Sequence, residues 1–323
     1  NEIAAVRMQS AAERSERFML RRALLFVNPL SGKGKSKKCL LDIIRVFTEA
    51  GYSVRVYPTT PSREANIRFV QKNAKYNSLI VAIGGDGTLN ELINGVMLSR
   101  IGAKIGFIPL GSTNDVAASL GLPQDPVQAA RSIVAGKLIP YDVGQFNGEY
   151  FGYIAGTGAF TEVSYATSRS LKNALGHLAY VLEGVKNISA IQPLWLKIQT
   201  PERTFAGRYL LCTVSNSTSV GGIFRFKRDL VSFNDGLFEL VLIKAPKDLI
   251  ELGILAADLL VSNEKTPLMQ ILHVSEAIIT SPTPLGWTLD GENGGKHRRV
   301  YVRNHAGAVK IVKSNGKALD SIR

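Results

Sequence analysis

Cysteine is nearly absent from this chain: there are two in 323 residues, Cys39 and Cys212, far apart in sequence. That excludes a disulfide framework, and two reduced core thiols suit a reducing, cytoplasmic setting. Histidine is scarce as well. His177, His273, His297 and His305 show no metal-ligand spacing, which argues against a transition-metal centre. No apolar run is long enough to cross a bilayer, and the longest, residues 249–261, contains Glu251 and Asp258. Residues 1–21 are polar and charged, lack the apolar core of a signal peptide, and read as an N-terminal extension. No arginine-rich or aromatic-rich recognition element is visible, so nucleic acid is not an expected partner. Acidic side chains are outnumbered, 26 against 39 basic ones, for a formal charge of +13. That excess favours an anionic partner, such as a polyphosphate substrate or an anionic membrane surface. What remains is an ordinary folded composition, 45% hydrophobic and 20% charged, long enough for two domains.

Apolar periodicity divides the chain. Strand patterns at residues 23–27, 53–57, 79–83 and 104–108 alternate with helical patterns at 36–50, 62–75, 89–99 and 126–135. Ser62 and Asp125 stand at N-cap positions, with Pro126 at the first helical position. This βαβα order predicts an α/β domain with a parallel sheet over residues 22–140. From residue 141 to 323 the pattern changes to short strands separated by turns such as Asn147-Gly148, Asn234-Asp235-Gly236 and Asn293-Gly294-Gly295. Helical patterns interrupt only near 171–187 and 247–262. A mostly antiparallel β sandwich is expected there, with the extreme C-terminus free to return to the first domain.

Three loops follow strands of the first domain, where open α/β sheets place ligands. They are Asn28-Pro29-Leu30-Ser31-Gly32-Lys33-Gly34, then Gly84-Gly85-Asp86-Gly87-Thr88-Leu89-Asn90, then Pro109-Leu110-Gly111-Ser112-Thr113-Asn114-Asp115. Glycine lets a backbone approach a phosphate, and helix N-termini aim N–H groups at it. Asp86 is out of place beside a phosphate unless a cation or a tight turn uses it. Gly34-Lys35-Ser36 looks like the end of a P-loop, but Pro29 stands where that motif needs its first glycine.

The three loops, with Asp290-Gly291-Glu292 near the end, resemble the diacylglycerol kinase catalytic-domain family, which includes soluble bacterial lipid kinases and sphingosine kinases. The resemblance runs from about residue 22 to the C-terminus. It implies ATP between the two domains. Asn28, Ser31, Gly32, Gly84, Gly85, Asp86, Gly87, Thr88, Leu89 and Asn90 would hold its phosphates. Thr59 matches a threonine at the nucleotide, and Gly111, Ser112 and Asn114 form the third loop. The family usually has threonine where this chain has Ser112. Asp290 and Glu292 match the motif that serves the attacking hydroxyl, and either one can be its base. Asp235, with the backbone oxygens of Ser232 and Leu237, matches a structural Mg²⁺ site, and Asp142 matches an aspartate of its surrounding network.

The residues themselves leave a hairpin turn open at 290–291 and a plain β-turn open at 235–236. The segment 168–186 is amphipathic and basic, which permits either packing or contact with lipid. The expected function is ATP-dependent transfer of the γ-phosphoryl group to a lipid hydroxyl, most readily that of diacylglycerol, by a cytoplasmic protein peripheral to the membrane. A homodimer is compatible with this reading. The alternatives are an NAD kinase-like enzyme, which shares the glycine-aspartate turn, and a non-catalytic nucleotide- or membrane-binding homologue.

Overall fold

The computed structural model describes residues 21–111, 114–158, 192–216, 219–220, 224–225, 232–260 and 266–313. Ser112 and the amphipathic segment 168–186 lie outside them.

Strands β1 (Arg22–Val27), β2 (Ser53–Pro58), β3 (Leu79–Gly84) and β4 (Lys104–Pro109) are parallel, in the order β2-β1-β3-β4. β1, β3 and β4 bury nearly every residue, as strands covered on both faces must. β2 lies at the edge and stays half-exposed. Helices α1 (Lys35–Glu49) and α5 (Pro126–Ala135) cover one face through Ile43, Phe47, Ala129 and Ile133. Helices α2 (Arg63–Asn73) and α3 (Asp86–Ser99) cover the other through Val70, Leu92, Ile93 and Val96. α4 (Asp115–Leu120) follows β4. Both expected caps form. Ser62 Oγ accepts from Ala65 N at 3.3 Å, and Asp125 Oδ1 accepts from Gln128 N at 2.8 Å.

The strand order reverses between β1 and β3, so the loops after these strands open a crevice at the sheet's switch point. Helix α3 starts three residues earlier than its apolar period suggests. Gly85 is its N-cap, and Gly85 O accepts from Thr88 N at 3.0 Å and Leu89 N at 3.2 Å. The glycine-aspartate turn is therefore the first turn of the helix.

The remaining strands are β5 (Lys137–Phe146), β6 (Glu149–Phe151), β7 (Ile154–Gly158), β8 (Leu194–Gln199), β9 (Thr204–Ser215), β10 (Ser219–Val220), β11 (Phe224–Arg225), β12 (Phe238–Lys244), β13 (Met269–Val274), β14 (Glu276–Leu289) and β15 (Glu292–Lys313), with α6 (Leu249–Leu260) between β12 and β13. Apart from the small β10–β11 pair, they belong to the same hydrogen-bonded sheet as the parallel strands. β15 makes the junction. Its Lys310 and Ile311 run parallel to β4, while the rest is antiparallel to β5 and β14. Residue 140 falls inside β5, so the change from parallel to antiparallel comes without a break in the ladder. The antiparallel part curls around its own core. Phe151 meets Phe238 with ring centroids 5.4 Å apart, and Phe146 meets Trp287 at 5.1 Å. Among the described residues no helix is long and apolar enough to cross a membrane. Both cysteines are free; Cys212 is buried, which pushes its thiol up to about 12.

Two turn signals resolve differently. Asp290-Gly291 is a two-residue hairpin turn between β14 and β15, with φ of +52° and +85°. Two positive φ values in succession suit a type I′ turn, for which Asp-Gly is a preferred pair. Asn293-Gly294-Gly295, which reads as a turn, lies inside β15. The register slips there, between Gly286 and Thr288 of β14, so the extra glycine is taken up as a bulge.

Candidate active site

The three loops meet. Asn28 N donates to Ile83 O at 2.9 Å, and Asn28 Nδ2 approaches Thr88 Oγ1 at 3.5 Å, which ties the first loop to the second. Leu110 N donates to Gly84 O at 2.6 Å, which ties the third to the second. Gly85 and Gly111 lie so close that a Cβ on Gly111 would stand 2.6 Å from the Cα of Gly85. Only glycine fits at that crossing. Gly32 sits against the third loop, where a Cβ would stand 3.3 Å from Leu110 O. Ser31 begins a 3-10 turn, with its N–H donating to Asn28 O at 3.2 Å. Thr59 joins from β2, donating its N–H to Val27 O at 2.7 Å. Asn114 closes the third loop on itself, with Oδ1 accepting from Gly111 N and Nδ2 donating to Gly111 O, both at 2.8 Å. The first N–H groups of α3 have no intrahelical acceptor, so the cradle presents donors and a positive dipole end.

The side chains of two residues expected at the phosphates face away from the crevice or across to the hairpin turn. The side chain of Leu89 is 1% exposed and belongs to the core beneath the loop. Asn90 is also buried, and its amide faces the β-rich half of the sheet. Nδ2 donates to Asp290 Oδ2 at 2.8 Å and to Tyr150 O at 3.2 Å, while Oδ1 accepts from Arg63 Nη2 at 2.9 Å. Arg63 also pairs with Glu149 at 3.3 Å. Asn90 is thus a strut between α2, α3 and the hairpin turn.

The two acidic residues of that turn differ sharply. Asp290 is 5% exposed. Its Oδ2 accepts from Asn90 and from Gly152 N at 2.6 Å. Its Oδ1 accepts from Tyr153 N at 2.9 Å and Ile154 N at 3.0 Å. Four donors fill the four lone-pair directions of a carboxylate. Burial raises its pKa and these hydrogen bonds oppose the rise. Glu292, two residues on, is exposed and reaches the second loop. A Cβ on Gly87 would stand 2.6 Å from Glu292 Oε1. The missing side chain of Gly87 is what lets this carboxylate lie against the first turn of α3.

Asp86 is half-buried at the same place, with Oδ2 accepting from Asp115 N at 3.4 Å and a buried Oδ1 without a partner. Burial first, then the charges of Asp115 and Asp290, push its carboxyl up to about 7. Burial also lifts Glu91, which accepts from Asn66 Nδ2 at 3.0 Å, to about 7. Glu239 rises to about 8 for the same reason. Each holds a proton in the folded state that the unfolded chain has released, so their stabilising contribution is present at low pH and lost as pH rises through about 7 to 8. Without nucleotide, the protein should melt at a higher temperature at pH 6 than at pH 9. Thermal melts across that range check the sign, and Asp86→Asn with Glu239→Gln should flatten the slope.

Among the described residues no three of His, Cys, Asp and Glu gather closely enough to hold a bare metal ion. Asp142 is not placed as a direct ligand. Its Oδ1 accepts from Gly307 N at 2.7 Å, and its Oδ2 accepts from Gly236 N at 2.8 Å and Asn304 Nδ2 at 3.3 Å. It staples the loop 232–237 to β15. Asp235 Oδ1 accepts from Leu237 N at 3.0 Å, and Ser232 Oγ donates to Asn234 Oδ1 at 3.1 Å, so this is a tight Asx-type turn. Two buried amide oxygens near Asp142, on Asn216 and Asn304, lack partners. One exposed carboxylate, loop carbonyls and such orphan oxygens suit a mostly hydrated Mg²⁺.

The structure adds residues that sequence spacing did not single out. Arg63 joins the site through Asn90, and Asp115 of the third loop meets Asp86. On the sheet face beyond Asp290, buried Thr213 Oγ1, Ser215 Oγ and Glu239 Oε2 have no partner. Ser215 pairs in register with both Ile154 and Glu239, and Ile154 O accepts from Asp290 N at 2.8 Å. Polar side chains therefore sit side by side on β12 and β9, next to Ile154 of β7, whose backbone joins the hairpin turn. The hydroxyls at alternate positions 213 and 215 in the buried second half of β9 were the sequence signal.

Comparison with known proteins bears on this arrangement. Residues 22–146 match the model of the diacylglycerol kinase catalytic domain. A diacylglycerol kinase of Bacillus subtilis (strain 168) is 38% identical over 226 residues, covering 70% of this chain and 74% of the relative. One from Staphylococcus saprophyticus is 31% identical over 279 residues, covering 86% of this chain and 91% of the relative. A crystal structure from Bacillus anthracis str. Sterne superposes with a TM-score of 0.78 at 22% identity, covering 92% of this chain and 98% of that one, which shows the same fold. With relatives this similar over most of its length, this chain belongs to the diacylglycerol kinase catalytic-domain family.

Proposed function

We propose that this protein is an ATP- and Mg²⁺-dependent lipid kinase that transfers the γ-phosphoryl group to the hydroxyl of diacylglycerol, giving phosphatidic acid. The observation that carries the reading is the position of Glu292 against Gly87, with its carboxylate at the rim of a cradle built from three glycine loops. Phosphoryl transfer needs positioning and neutralisation of charge more than covalent help. Asn28, Ser31, Gly32 and Thr59, the turn from Gly84 to Thr88, and Gly111, Ser112 and Asn114 supply donors for the triphosphate. Residues 22–140 act as the nucleotide half and residues 141–323 as the lipid half.

Glu292 accepts the proton of the attacking hydroxyl, because its oxygens are the ones left free; Asp290, already holding four donors, positions the turn. Asp86, with one unpartnered carboxylate oxygen, is the acid of the cradle that would hold the cation carried by the nucleotide. Mg²⁺ supplies charge neutralisation on the phosphates, and a second ion on the loop 232–237 would use Asp235 with the carbonyls of Ser232 and Leu237. Thr213, Ser215 and Glu239 offer polar contacts to the acceptor. The protein works from the cytoplasm at an anionic bilayer, and a homodimer is compatible with this.

The test is transfer of labelled γ-phosphate to extracted total lipid, with the product identified by mass and NAD offered in parallel. Labelled phosphatidic acid is the expected product. Labelled NADP, or ATP left intact over a broad lipid panel, would overturn the reading in favour of the NAD kinase-like or the non-catalytic alternative.

A further inference from the structure

Helix α6 is apolar on both sides. Leu252, Leu255, Ala256 and Leu259 pack on the sheet with Leu210, Leu211, Val241, Ile243 and Met269. The outer side is also apolar: Leu249 is 52% exposed, Ile250 74% and Ile254 45%, with Gly253 and Ala257 between and beyond them. A helix face with this much exposed apolar surface is normally sequestered from water. Two acidic residues interrupt the stripe, Glu251 and the half-exposed Asp258, which lies one turn beyond Ile254. Asp248 Oδ1 caps the helix, accepting from Glu251 N at 2.8 Å, and Glu251 is itself bonded to Lys247 N at 2.8 Å. At twelve residues the helix is about 18 Å long, too short to span a bilayer but able to lie in its surface.

The neighbouring sheet end carries what a membrane interface uses. Ala245, just before α6, donates its N–H to Arg208 O at 3.0 Å. Arg208 is exposed and pairs across strands with Trp195, which is 49% exposed. Trp195 and exposed Lys197 point away from Leu196 and Ile198, which are in the core. Lys247, at the start of the helix, is 86% exposed and pairs with Glu251 at 3.9 Å. Tryptophan at the headgroup level, basic side chains beside it and an apolar helix face are complementary to an anionic bilayer, and the chain's +13 charge adds to the attraction.

We propose that the outer face of α6, with Trp195, Arg208, Lys197 and Lys247, is the surface by which this protein seats on an anionic membrane. The inference rests on the reading of the acceptor as a membrane lipid. The inner side of α6 covers the sheet face that leads through Leu211, Thr213 and Ser215 to Ile154 and the turn at Asp290. Leu211 to Ser215 is about 13 Å along a strand, within the reach of one lipid molecule.

The chain has two tryptophans, Trp195 and Trp287, and Trp287 is 1% exposed. Emission should therefore shift to the blue when the full-length protein meets phosphatidylglycerol vesicles, and Trp195→Phe should abolish the shift. The double variant Ile250→Asp/Ile254→Asp should bind these vesicles at least about tenfold more weakly. It should phosphorylate diacylglycerol in them correspondingly more slowly, yet treat monomeric dihexanoylglycerol like the parent. Unchanged vesicle binding by the double variant, or an unmoved Trp195 emission, overturns the proposal. So does a dimer that the same substitutions dissociate while vesicle binding persists. If the parent binds vesicles through this face but phosphorylates no lipid, the lipid-kinase reading fails and the docking surface stands.

Discussion

Glu292→Gln should lower the rate of phosphoryl transfer by about 10²- to 10⁴-fold, the range expected when a general base is removed. The fold should be untouched. Glu292 is exposed and its carboxylate lies against the bare backbone of Gly87, so glutamine keeps the shape and loses only the basic lone pair. Nucleotide affinity should change little, because the cradle is built from other residues. Single-turnover rates with labelled ATP, nucleotide titration and a melting curve separate these effects. A variant that turns over within a few-fold of the parent would assign the proton to another group.

Asp290→Ala should be lethal to activity for a different reason. The substitution leaves Gly152, Tyr153 and Ile154 with buried N–H groups and no acceptor, and frees Asn90 from the turn. Each unsatisfied buried donor costs roughly 1–3 kcal/mol, so the total is several kcal/mol. Alanine is also poorly suited to the positive φ of 52° at this position. Activity and melting temperature should therefore fall together, and chemical denaturation should show a lowered midpoint. Asp290→Asn should be intermediate in stability, since one amide oxygen can still accept while the NH₂ faces backbone donors. A fully stable, inactive Asp290→Ala would return Asp290 to the role of base.

These contrasting expectations could not have been drawn from residues 290–292 in the sequence. Spacing made the pair of carboxylates conspicuous and left both roles open. The distinction comes from Gly152, Tyr153 and Ile154, more than a hundred residues away, whose N–H groups reach one carboxylate and not the other. The parallel strands were legible because β1, β3 and β4 are apolar throughout and end at glycine-rich loops. The start of α3 was not, because its first turn is Asp86-Gly87-Thr88 and carries no apolar period. Asn90 sits in a motif that suggests phosphate, while its partners Arg63, Tyr150 and Asp290 come from three separate elements. The polar row through Ser215 and Glu239 needed strand register to appear at all. The long β15 was hidden by Asn293-Gly294-Gly295, whose turn chemistry is used for a bulge within one strand.

The position of β15 limits how the molecule could be divided. A fragment of residues 22–146 would carry the three loops yet leave β4 with a bare edge where Lys310 and Ile311 belong, and β5 without its main partner. Open strand edges invite pairing with other chains. During synthesis the same edge stays uncovered until residues 310–311 emerge from the ribosome, so the parallel part of the sheet is made before the strand that closes it.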